Sequence, residues 1–218
     1  MLTSCNALYS CPKNNDVCCA CQYAKSHRLP FSLCDFKATC PLALIHTNLW
    51  GPTLVVSTIG IRYFLLFVDD FSQFSWLYSL HTKGQALATF IRFKTLVENK
   101  FTSCIQYLQS NNGGGFKAFA PFLAQREIDN SCLCPITLAQ DGRAKRKMRH
   151  IVETSLALLA ITFLPLNLLY AFPTAIFLIN RMPTKVLKLQ SPFYVFFGKQ
   201  PNYRQGFWLF LLSLYLSI

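Results

Sequence analysis

The sequence predicts a mixed α/β fold: an antiparallel meander first, then strands and helices in alternation. Three observations carry this. Residues 42–80 contain three closely spaced runs rich in aromatic and β-branched residues. An apolar period of 3.6 follows over residues 83–100. Short strand-like and helix-like segments then alternate to about residue 159.

The first strand is LALIHTNLW (42–50), closed by Gly51-Pro52. The second is IRYFLLFVDDF (61–71), a near-continuous apolar run of the kind buried on both faces. FSWLYSL (74–80) follows after only Ser72-Gln73, which predicts a tight hairpin. Residues 83–100 form an amphipathic helix with Leu87, Phe90, Ile91, Phe93 and Val97 near its buried face. CIQYLQS (104–110) is a fourth strand, and NNGGGF reads as a turn that needs glycine backbones. A short helix over 119–128, a strand stub at 131–134 and a long helix from Ala139 to about Leu159 complete the order. Meander followed by alternation is the ribonuclease-H-like pattern.

Composition narrows the function classes. Lys and Arg number 21 against 9 Asp and Glu, a net charge of +12, which points to nucleic acid or an anionic surface. Apolar residues at 52% and aromatics at 15% exclude a disordered chain. Charged residues are only 14%, below the roughly 25% of soluble domains. Seven of the ten cysteines lie in the first 40 residues. Residues 1–15 lack a basic segment followed by an apolar run, so clustered cysteine reads as a metal site or inert thiols.

The motifs, in order, are CCACQYAKSHRLPF (18–31), PLALIHTNLWGP (41–52), YFLLFVDDFSQFSWLY (63–78), LQSNNGGGF (108–116), LAQDGRAKRKMRHIVE (138–153), LINRMPTKVL (178–187) and SPFYVFFGKQPNY (191–203). Together they resemble the integrase of copia-type long-terminal-repeat retrotransposons of plants. The resemblance implies a ribonuclease-H-like mixed sheet flanked by helices, preceded by a zinc-binding His-His-Cys-Cys module. It also implies an Asp-Asp-Glu set that holds two Mg²⁺ or Mn²⁺ ions for DNA strand transfer. Four segments follow: a truncated Cys-rich zinc-module remnant (1–40), the integrase catalytic core (41–160), its helical continuation (161–205) and an apolar tail (206–218).

This chain departs from the family at the catalytic positions. Asn48 and Asn111 stand where the family has Asp, and Lys145 where it has Glu. The formal charge of the three positions moves from −3 to +1. Asn supplies an uncharged oxygen, and Lys145 adds an ammonium, so no two-metal site and no bound cofactor are expected. The resemblance still implies that the three positions converge. Asp69 and Asp70 read as strand-end acids. Asp141 is placed to pair with Lys145 at i,i+4. Each of the three replacements is reachable by one G-to-A transition, as in a silenced element. GFWLFLL (206–212) resembles the family's continuation read out of frame.

The remaining constellations follow. Cys18 and Cys21 have zinc-knuckle spacing, but no His precedes them, so the module is read as half a site without metal. Arg143, Arg146, Lys147, Arg149 and His150 form a basic helix, with Arg143, Lys147 and His150 on one face and Arg146 and Arg149 on another. Two readings stay open for it: a solvated surface, or nonspecific, salt-sensitive DNA binding. Residues 154–180 carry no charge over 27 positions, long enough to span a bilayer, although Pro165 and Pro173 interrupt them. A membrane-associated small protein is therefore the alternative class. The resemblance implies oligomerisation and a nuclear or cytoplasmic location.

Overall fold

A computed structural model describes residues 38–53, 60–110, 113–130, 142–162 and 171–203, all within the compact unit Lys37–Ile218. The strands are β1 (Leu44–Trp50), β2 (Tyr63–Asp69), β3 (Ser75–Leu80), β4 (Tyr107–Gln109) and β5 (Asp129–Asn130). They form one sheet in the order β3-β2-β1-β4-β5. β1–β2 and β2–β3 pair antiparallel, while β1–β4 and β4–β5 pair parallel. The helices are α1 (Ala86–Phe101), α2 (Phe119–Gln125), α3 (Gly142–Thr162), α4 (Ala171–Arg181) and α5 (Pro192–Phe197).

Both sheet faces are covered, which explains the unbroken apolar run of β2. On one face Ile45, Leu65 and Phe67 pack with Phe90 and Phe93 of α1 and Phe119 of α2. Phe67 stacks on Phe93 with ring centroids 4.3 Å apart. On the other face Phe64, Leu66 and Val68 pack with Met148 and Ile151 of α3 and Phe172 and Ile179 of α4. Phe64 stacks on Phe172, also at 4.3 Å. Part of the uncharged 154–180 run is thus core packing. Residues 163–170 lie outside the described residues, and among those described no helix is long and apolar enough to cross a membrane.

The start of α1 is fixed by Gln85, whose side-chain oxygen accepts the N–H groups of His81 at 2.8 Å and Thr82 at 3.2 Å. Its end is fixed by Thr102, left-handed at φ 50°, whose N–H reaches the Glu98 carbonyl. The carboxylate of Glu98 also accepts the Ile105 N–H at 3.0 Å, which sets the entry to β4.

Three sequence expectations need correction. Ile91 is 37% exposed, because the buried stripe runs through Ala86, Phe90, Phe93 and Val97 and Ile91 falls past its edge. The β2–β3 hairpin is not a two-residue turn: β2 ends at Asp69 and β3 begins at Ser75, because the Asp69 carboxylate gathers Ser72 into a wider loop. The fifth strand is Asp129–Asn130, paired to β4; residues 131–134 lie outside the described residues. None of Gly113–Gly115 has positive φ. At Gly115 a Cβ would sit 2.6 Å from Leu49 Cδ2, the end of a side chain that can turn aside.

Candidate nucleic-acid interface

The central strand β1 alternates its side chains between the two faces. Asn48 shares a face with His46 and Trp50, the face that packs on α3, and is 6% exposed. Its register partner on β2 is Leu66. β4 runs parallel to β1 and ends at Gln109, with Ser110 buried behind it. Asn111 lies outside the described residues, as do Cys18, Cys21, Asp141 and the tail 206–218.

The two acids at the end of β2 are buried fully and engaged. Asp69 accepts the Leu42 N–H at 2.8 Å, the Ser72 N–H at 2.8 Å and the Ser72 hydroxyl at 2.5 Å. Burial raises its pKa, and these donors oppose the rise. Asp70 accepts the Ala38 N–H at 3.0 Å through Oδ2. Its Oδ1 lies 2.9 Å from His46 Nε2 and also accepts from Arg143. The reading of this pair as strand-end acids agrees with these contacts. His46 is the residue that sequence reasoning did not single out. Its signal was faint: an imidazole at an inward strand position, beside a partner strand that ends in two acids.

α3 presents the basic run. Ala144, Met148, Ile151, Ser155 and Leu159 form its buried stripe, so the cations occupy the flanks and the outer face. Arg143, Lys145, Arg146, Arg149 and His150 are exposed, and Lys147 is mostly buried. Lys147 has no acidic partner among the described residues, and desolvation lowers its pKa to about 8. Lys145 sits on the opposite flank, because two residues turn a helix by about 200°.

Arg143, Lys147 and His150 do share a face, and they line a concavity of about 430 Å³ against the β2–β3 loop. Arg146 lines it too. Its guanidinium folds back over the helix start, where a Cβ on Gly142 would lie 2.4 Å from Arg146 Nη1. Gln73, left-handed at φ 60°, closes the concavity's loop side and donates to the Asp70 carbonyl at 2.7 Å.

No protein-family model matches the chain. Over 189 residues, 86% of its length, it is 42% identical to a retrovirus-related Pol polyprotein from transposon RE2 of Arabidopsis thaliana; the match spans 13% of that polyprotein. Among solved structures, a simian T-cell lymphotropic virus intasome in complex with the PP2A regulatory subunit B56 gamma aligns over 85% of this chain and 64% of that one. The TM-score is 0.62 at 14% identity. The HTLV-2 integrase catalytic core domain in complex with magnesium aligns over 73% of this chain and 99% of that one, with a TM-score of 0.55 at 14% identity. At such identity the structural likeness concerns the fold.

Proposed function

The chain belongs to the family of integrase cores from plant copia-type retrotransposon Pol polyproteins, and on that premise we propose that it is a DNA-binding integrase fragment without catalytic activity. DNA integration is its function by descent. The single observation that carries the binding reading is the row of exposed cations on α3: Lys145, Arg146, Arg149 and His150. Phosphates are held by such groups without regard to base sequence.

The loss of catalysis rests on the donor set. The magnesium in the HTLV-2 core belongs to that protein. Here the residues do not fit a pair of divalent ions. Asn48 brings a neutral amide, and Lys145 brings a cation that repels metal. Asp69 and Asp70, the nearest acids in sequence to the β2 end, are already saturated by backbone, histidine and arginine donors. The same Glu→Lys replacement that removes a metal ligand adds a phosphate contact, so loss of one function strengthens the other. Oligomer formation is carried over from the family on the same footing.

Salt-dependent retention of duplex DNA by the full chain is the test. With about four phosphates neutralised, the affinity should fall roughly 10²-fold between 50 and 200 mM salt. Retention that is flat over this range would refute the reading.

A further inference from the structure

We infer that the concavity between the β2–β3 loop and α3 is a binding site for a small phosphate monoester carrying a flat apolar group, the chemistry of a mononucleotide. It goes beyond the DNA reading above: Arg146 and His150 belong to both, while Arg143 and Lys147 belong to the hollow and Lys145 and Arg149 to the outer face.

Three features point to a compact anion. First, Arg143, Arg146, Lys147 and His150 converge on one hollow of about 430 Å³, within the usual range of small-molecule sites and close to one nucleotide in size. Second, the one carboxylate in the wall, Asp70, is already held by His46 and Arg143 and so does not neutralise the others. Third, Lys147 is withdrawn from water with no acidic partner among the described residues. A cation in that condition gains from an incoming anion what it has lost in hydration.

The geometry favours a phosphate with an attached ring over phosphate alone. Arg143 is held in place by its pair with Asp70, which takes up part of its guanidinium, and the Arg146 guanidinium lies over Gly142 in the same hollow. The lining also holds three apolar side chains, Phe71, Val186 and Leu187, and Val186 is 75% exposed. Such a wall suits a base and has no use for a bare ion.

The test is calorimetric titration of the full chain at fixed ionic strength with dAMP, with inorganic phosphate, with deoxyadenosine and with a 5′-phosphorylated single-stranded oligonucleotide. Saturable dAMP binding, at least about tenfold tighter than inorganic phosphate, is expected, with deoxyadenosine weaker than both. Lys147→Met should weaken dAMP about tenfold or more, while Lys147→Arg should stay within about threefold. Arg149→Gln should weaken duplex retention and leave dAMP binding intact, which separates this site from the outer face. Tighter binding of the oligonucleotide than of dAMP assigns the site to a strand end, and equal binding to a free nucleotide. The inference is overturned by absent dAMP saturation, by equal binding of dAMP and inorganic phosphate, by wild-type affinity in Lys147→Met, or by equal loss in Lys147→Arg.

Discussion

Arg143, on the first turn of α3, donates to the buried carboxylate of Asp70 at the end of β2, and the accepting oxygen also lies 2.9 Å from His46 Nε2 on β1. One carboxylate thereby ties together a central strand, its neighbour and the helix that carries the basic run. Arg143 is 44% exposed and Asp70 not at all. The pair therefore has an asymmetric energetic meaning.

Removing the acid should cost far more than removing the arginine. Asp70→Ala leaves the Ala38 N–H and His46 without their buried acceptor and is expected to destabilise by about 3–5 kcal/mol. Arg143→Gln removes a solvent-screened partner and should cost about 1 kcal/mol. Urea denaturation of both variants checks the order; equal losses would show that Asp70 is not the hub.

Lys147 gives a pH prediction of definite sign. Its pKa is lowered from 10.5 to about 8 in the fold, so at neutral pH the folded state bears the cost of a desolvated charge. Between pH 8 and 10.5 the unfolded chain binds more protons at this site, and the cost is relieved as pH rises. Lys147→Met should therefore stabilise the protein at pH 7 by up to about 3 kcal/mol, and the advantage should shrink through that window. Melting of both proteins from pH 7 to 10.5 gives the difference; an advantage that grows with pH would contradict the assignment.

The core and the helix edge can be separated by two substitutions. Phe67 is fully buried and stacked on Phe93, so Phe67→Ala should cost about 3–5 kcal/mol. Ile91→Ser, on the same helix layer but at its exposed rim, should change stability by no more than about 0.5 kcal/mol. Chemical denaturation checks both.

The strands and long helices were legible because burial on two faces and on one stripe leaves different periods in the sequence. β1, β2, β3 and α1 follow those periods closely. What was illegible depends on single side chains. The Asp69 carboxylate widened the hairpin at Ser72, and no local pattern distinguishes that from a tight turn. Gly115 packs against Leu49, 66 positions earlier, and its backbone is not left-handed. His46 and Asp70 meet only because β1 and β2 pair in one register. The neutral amides of Asn48 and Asn111 and the cation of Lys145 are read directly from the sequence. Their chemistry follows from residue type before any distance is known.

Calorimetric titration of Mn²⁺ into the unmodified chain and into the triple variant Asn48→Asp, Asn111→Asp, Lys145→Glu asks whether this nucleic-acid-binding core has lost its metal chemistry. The expected result is no two-site binding by the unmodified chain and a gain of divalent binding in the variant, because two-metal sites need the complete anionic set. Tight two-site Mn²⁺ binding by the unmodified chain would contradict the claim.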